Sequence, residues 1–188
     1  MEFESIEKKF SGKFIHYYNA RYKTALGNEK VYEMISRNGD IKGIEDIRSD
    51  KCDAVVLIIH SPDHTKILLN HEFRMAVGGI AVNFPAGLID PGETPETAAA
   101  RELWEETGLK LESIEQILPS SYSGVGITNE RSCCVIGTAT GEFTPSTSDE
   151  EEISADWYTK DQVREMLADT NFAARTQAYC YFWCKSDY

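Results

Sequence analysis

From Asp53 the chain runs Ala54-Val55-Val56-Leu57-Ile58-Ile59 without a polar break. A short β-branched run with no polar alternate predicts a strand buried on both faces. Ser61-Pro62-Asp63-His64 turns the chain, Lys66–Arg74 reads as the returning strand, and Gly79–Phe84 as another. A Gly/Pro-bounded loop, 85–93, then leads into a helix. Thr94 is its expected N-cap, Pro95 its first residue and Gly108 its left-handed C-terminal residue. Ala99, Ala100, Leu103 and Trp104 are the expected apolar face. Further on, 131–140 and 153–158 predict strands, and 160–169 and 171–185 helices. Upstream, Phe14-Ile15-His16-Tyr17-Tyr18 and Lys30–Ile35 flank Ala25-Leu26-Gly27-Asn28, as in a β-hairpin. Met1–Ser11 reads as a polar lead-in. Strands and helices at separate places predict an α/β sandwich rather than alternating βαβ units. The expected organisation is a small N-terminal β unit over 1–45 and a main domain over 46–188.

With 31 acidic against 19 basic side chains the formal net charge is -12. Such a chain is repelled by a phosphate backbone unless a local basic patch intervenes, and no Lys/Arg run makes one, so long nucleic acids are not the expected substrates. Solubility accounts for most of the acidity. The five cysteines form no CxxC pair, and Met1-Glu2-Phe3-Glu4 does not open a signal peptide. Reduced thiols in a cytoplasmic protein are expected, and no apolar stretch has the length of a membrane span.

The chemistry concentrates in the helix after the loop. Glu102, Glu105 and Glu106 lie three and four residues apart, on one side of a helix. Three neighbouring carboxylates repel one another unless a hard cation neutralises them. Mg²⁺ suits such oxygens, keeps waters, and completes its shell with substrate phosphates. The competing reading is a solvated helix with i, i+4 charge pairs, the usual fate of Glu-rich helices. The preceding glycine loop, Glu93 and Gly108 favour the cation site. Arg101, four residues before Glu105 and eight after Glu93, is placed to orient carboxylates.

Gly87, Glu93, Arg101-Glu102-Leu103, Glu105-Glu106 and Gly108-Leu109 match the Nudix box, Gly-x5-Glu-x7-Arg-Glu-aliphatic-x-Glu-Glu-x-Gly-aliphatic, at every specified position. The chain thus resembles the Nudix hydrolases. The resemblance implies the Nudix α/β/α sandwich with a mixed sheet, the box forming loop–helix–loop. It also implies that Glu102 and Glu106 are the main Mg²⁺ ligands (Mn²⁺ as alternative), with Glu105 and the backbone carbonyl of Ala86 joining them. Glu93 and Arg101 would support the loop–helix geometry.

Beyond the box, His71-Glu72-Phe73-Arg74, Asn83–Asp90 and Tyr32–Arg37 resemble the ADP-ribose pyrophosphatase branch. In that branch the counterpart of Tyr32 stacks on the nucleobase and Phe14 would cover its other face; ordinary strand packing competes for both. Arg37 and Arg74 would contact the diphosphate or terminal ribose, against the alternative of surface ion pairs, and Leu88 would line the substrate site. Glu151, then Glu150, would serve as general base from the acidic loop 149–152. A homodimer exchanging its N-terminal units is also implied. Two positions depart from the branch. Asn83 stands where relatives carry a glutamate, offering a metal only its carbonyl. Val125 stands where they carry a proline. The implied reaction is pyrophosphate hydrolysis of a small nucleoside diphosphate derivative, foremost ADP-ribose to AMP and ribose 5-phosphate. Alternatives are a UDP-, GDP- or ADP-sugar pyrophosphatase, a triphosphate sanitiser, and a non-catalytic ligand sensor. The intact carboxylates speak against the sensor, and the long N-terminal segment against the sanitiser.

Overall fold

A computed structural model describes residues 1–186. Its secondary structure divides between two compact units, Met1–Asp53 with Ser120–Ser132, and Ala54–Pro119 with the segment from Cys133 onward.

The first unit is built on an antiparallel sheet in the order β1 (Glu2–Ser11), β2 (His16–Lys23), β3 (Glu29–Ser36). The segment expected to be a polar lead-in is therefore a strand. Its alternation is disguised by two register shifts, between Phe3 and Ser5 and between Lys8 and Phe10, which break the period of two. The expected hairpin is β2–β3, closed by the Gly27 amide on Thr24 O (2.9 Å) with Gly27 at φ 84°. Tyr18, Met34 and Ile41 form its core, with Ile6 and Ile47 of the short helix α1 (Ile44–Ile47) against them. The Tyr18 hydroxyl reaches its partner by donating to Asn38 O at 2.8 Å. The segment 120–132 joins this unit through Ile35 N to Ile127 O (2.9 Å) and Asp53 N to Arg131 O (2.8 Å).

The second unit carries a sheet in the order β10 (Ile153–Thr159), β5 (Lys66–Arg74), β4 (Ala54–His60), β9 (Arg131–Thr140), β8 (Lys110–Tyr122). β6 (Gly79–Asn83) is added on β5 and β7 (Ala86–Leu88) on β4. β4 is buried along nearly its whole length, as its unbroken apolar run requires. Val56, Ile58, Ile67 and Leu69 pack with Cys180, Trp183 and Cys184 of α4 (Ala174–Lys185) and Val163 of α3 (Lys160–Asp169). The alternate residues Val55, Leu57 and Ile59 are equally buried and point to the other face, where α2 (Pro95–Thr107) packs on β4 and β7. Helices on both faces of a sheet are the expected α/β sandwich. The long strand β8 and the three-residue β7 within the presumed loop were not anticipated. No helix among the described residues is long and apolar enough to cross a membrane.

Candidate active site

α2 forms where its caps dictate. Thr94 Oγ1 accepts from Thr97 N, Pro95 opens the first turn, and Gly108, at φ 76°, donates its amide to Trp104 O at 2.8 Å. Its buried stripe is Ala98, Ala99, Leu103, Glu106 and Thr107. Trp104 and Ala100, expected inside, face out, with Trp104 52% exposed. The helix is turned so that a carboxylate, Glu106, occupies a core-facing position.

Arg101 organises the entrance of the box. Its Nε and Nη2 donate to the two oxygens of Glu93 (2.9 and 2.8 Å), Nη1 to Glu102 (2.7 Å) and Glu105 (3.0 Å), and Nη2 to Leu88 O (2.9 Å). Glu93 also accepts the Asp90 amide (2.9 Å). The Arg101 guanidinium and that amide hold the Glu93 carboxyl at about 2, below its ordinary 4.5, while Arg101 itself is pushed upward by the same contacts.

Glu102 and Glu106 behave oppositely. Burial, opposed by the Arg101 hydrogen bond, raises Glu102, and the charges of Glu105 and Glu151 add to the rise. Burial raises Glu106 well above the ordinary value; hydrogen bonds from Asn70 Nδ2 (2.7 Å) and the Ala86 backbone only partly oppose it. The charges of Glu102 and Glu72 push in the same upward direction. Glu102 lies directly over Gly87: a Cβ on Gly87 would meet its carboxyl atoms at 1.9–2.3 Å. Glycine is needed here because the backbone and a carboxylate share the space of a side chain.

The remaining expected residues are placed as follows. Glu105, Glu150 and Glu151 are exposed or half-exposed, Glu150 donating its amide to Ser148 Oγ at 3.3 Å. Leu88 is exposed at the end of β7. Arg74, at the end of β5, is ion-paired with Glu72. In the first unit, Arg37 Nε pairs with Glu130 (2.5 Å), and Tyr32 donates its hydroxyl to Gly126 O (2.5 Å). Tyr32 lines a cavity of about 300 Å³ with Tyr22, Tyr122, Arg48 and Val125. Phe14 does not sit within β2: it precedes that strand, 65% exposed, with the Lys13 ammonium 4.7 Å from its ring centroid. The Asn83 carbonyl is not offered outward, since it accepts from Thr176 Oγ1 (3.0 Å) and from Phe84 N (3.0 Å).

Asn70 and Glu72 were missed. The signal was present, because inward positions of a buried strand that carry an amide and then a carboxylate contradict its apolar pattern. Among the described residues no group of three His, Cys, Asp or Glu side chains is gathered in ready-made metal-ligand geometry. Arg101 accounts for this at one end, since its guanidinium stands between Glu102 and Glu105. The chemistry of the donors nonetheless fits a hard cation: Glu106 is 7% exposed and has no cationic partner among the described contacts.

Against known proteins, the NUDIX domain model matches residues 50–180. Over 134 residues the chain is 29% identical to mouse (Mus musculus) ADP-sugar pyrophosphatase, covering 70% of this chain and 58% of that protein. It is 35% identical over 120 residues to ADP-ribose pyrophosphatase of Saccharomyces cerevisiae, covering 61% and 48%. The chain thus spans about half the length of the curated relatives it matches. A solved structure described as the crystal structure of an ADP compounds hydrolase superposes with a TM-score of 0.74 at 18% identity, covering 98% of this chain and 93% of that one. That likeness speaks for the fold.

Proposed function

This chain belongs to the NUDIX family, and from that premise we propose that it is a divalent-cation-dependent hydrolase of small nucleoside diphosphate derivatives. The observation that carries the reading is Glu106: a carboxylate buried against β5, with no cationic partner among the described residues, on the same helix as Glu102 and Glu105. Glu102 and Glu106, with Glu105 and the Ala86 carbonyl, would hold Mg²⁺ or Mn²⁺. Bound there, the cation supplies charge stabilisation on the phosphoryl oxygens and acidifies water. Arg101, held by Glu93, keeps Glu102 and Glu105 gathered about one guanidinium.

In the proposed reaction water attacks one phosphorus of the pyrophosphate and the bridging P–O bond breaks, releasing a nucleoside monophosphate and a phosphorylated second product. Glu151, with Glu150 as second choice, takes the proton of the attacking water. The influence of the Glu151 charge on Glu102 supports the first choice. In the first unit, the tyrosine-lined cavity that includes Tyr32 suits a nucleobase, which offers a π-face to stack on. Arg37 and Arg74, once released from their carboxylate partners, are candidates for phosphate or ribose hydroxyls. Exposed Phe10, Phe14, Leu26 and Val31 on the same unit favour a homodimer through that sheet. A cytoplasmic location completes the reading.

ADP-ribose is the first substrate choice, giving AMP and ribose 5-phosphate. A nucleotide sugar is the second, favoured by the match to the mouse ADP-sugar pyrophosphatase and by Val125, 81% exposed, in the cavity wall beside Tyr32. The test is chromatographic product analysis with ADP-ribose, ADP-, GDP- and UDP-sugars and dNTPs, with Mg²⁺ or with EDTA. Metal-dependent release of a monophosphate pair is expected. No turnover of any member, with a melting shift from one, would support a ligand sensor instead.

A further inference from the structure

Along β5, Leu68, Asn70 and Glu72 alternate with Ile67 and Leu69. Ile67 and Leu69 lie in the core formed with α3 and α4, so Asn70 and Glu72 point to the opposite face, where Asn70 meets Glu106 of α2. Three observations there have no use in the site described so far. Asn70 is 1% exposed, and while its Nδ2 donates to Glu106, its Oδ1 is buried and finds no hydrogen-bond partner among the described residues. Glu72 is 9% exposed, buried deeply for a carboxylate, and close enough for its charge to act on Glu106. Its ion-pair partner, Arg74, is itself largely exposed and sits at the end of the strand.

A buried carbonyl oxygen without a donor, beside two buried carboxylates, is an all-oxygen set with more negative charge than its surroundings balance. Hard divalent cations take carboxylate and amide oxygens together. An exposed guanidinium is a replaceable counter-ion, because turning it into water costs it little.

We propose that Glu72 is a further ligand of the divalent cation assigned above to Glu102 and Glu106, and that Arg74 is its counter-ion only while the cation is absent. The inference rests on the hydrolase reading of the site. It has a consequence for the substrate: cation loading transfers Glu72 from Arg74 to the metal and frees the Arg74 guanidinium for an anionic group.

The test is calorimetric titration of Mn²⁺ into EDTA-stripped protein, which requires no turnover. Wild type is expected to bind and Glu106→Gln to lose binding. Glu72→Gln is expected to weaken Mn²⁺ affinity by roughly tenfold or more, the scale on which groups around a metal act. Glu72→Asp keeps the charge but withdraws the carboxylate by one methylene, so it should weaken binding as well. Arg74→Gln should bind at least as tightly as wild type, having lost the competitor for Glu72. Wild-type affinity in Glu72→Asp would overturn the proposal, leaving Glu72 as a distant charge. An Arg74→Gln variant that reproduces the Glu72→Gln loss would overturn it too, since the pair would then be structural. Should Glu72→Gln not fold, the Asp and Arg74 variants decide between these outcomes. If wild type itself does not bind Mn²⁺, or Glu106→Gln binds unchanged, the hydrolase reading fails first.

Discussion

The box helix has two ends that treat glutamate in opposite ways. At the entrance, Glu93 lies near solvent, accepts two bonds from Arg101 and one from the Asp90 amide, and ionises at about 2. At the far end, Glu106 is buried, has only neutral donors among the described residues, and is driven upward by burial and neighbouring carboxylates. The first arrangement is complete as it stands: Glu93 has a guanidinium on both its oxygens and a backbone amide beside it, and the contacts brace a loop against a helix. The second is incomplete, because burying an uncompensated carboxylate costs stability unless something outside the chain neutralises it. The contrast separates a carboxylate satisfied within the chain from one that is not. Charge that is satisfied internally builds shape; charge that is left unsatisfied recruits.

The comparison breaks most visibly if Glu106 proves to be scaffold. Glu106→Gln should reduce kcat by about a thousandfold, the scale for losing one preorganised electrostatic group. The same change should stabilise the protein in EDTA by about 1 kcal/mol, roughly 2–4 °C in Tm. Thermal unfolding with and without EDTA checks the second half, and a lower Tm in EDTA would assign Glu106 to the scaffold. Next in size is Gly87→Ala. Its Cβ would displace the Glu102 carboxyl, a flexible group, so the fold should persist while kcat/KM falls about a hundredfold. Gly108→Ala should reverse that pattern: a left-handed φ and a clash with Thr144 act on stability, read as a lower Tm with smaller catalytic loss.

Glu93→Gln should have a milder effect, roughly tenfold in kcat/KM, because Arg101 keeps Glu102, Glu105 and Leu88 O as partners. The smallest effect sharpens the contrast through pH. Glu93, lowered from 4.5 to about 2, contributes stability present above its unfolded value and lost as pH falls toward 2. Glu106, raised above 4.5, contributes stability present below that value and lost as pH rises through its folded pKa. In EDTA the Tm of wild type should therefore decline as pH rises above the ordinary 4.5, and the decline should flatten in Glu106→Gln. Parallel profiles for the two proteins would mean that Glu106 does not titrate as its burial requires.

Much of this is legible in the sequence. Caps, first-turn proline and terminal glycine placed α2 correctly, and the spacing of Glu93, Arg101 and Glu105 foretold a carboxylate orienter, because these are relations within two turns of one helix and its entry loop. The face of the helix is not legible at Ala100 and Trp104, whose apolar identity points inward while the buried Glu106 turns them to solvent. β1 escaped because its bulges spoil the alternation by which strands are recognised. Asn83, considered as a carbonyl for a metal, is held instead by Thr176, a partner 93 residues away that no local pattern names.

The sequence by itself therefore determined the box, its helix and the carboxylates on it, together with the buried strands that surround them. These follow from periodicity and from backbone preferences that act over a few residues. The tertiary structure alone decided which of those carboxylates would be paired and which left bare. It seated Glu102 over Gly87, brought Asn70 and Glu72 from β5 to Glu106, and returned the segment 120–132 to the N-terminal sheet. Such choices depend on which distant groups share a low-dielectric space, and burial, which sets the energy of a charge, belongs to the packed fold and to no residue alone.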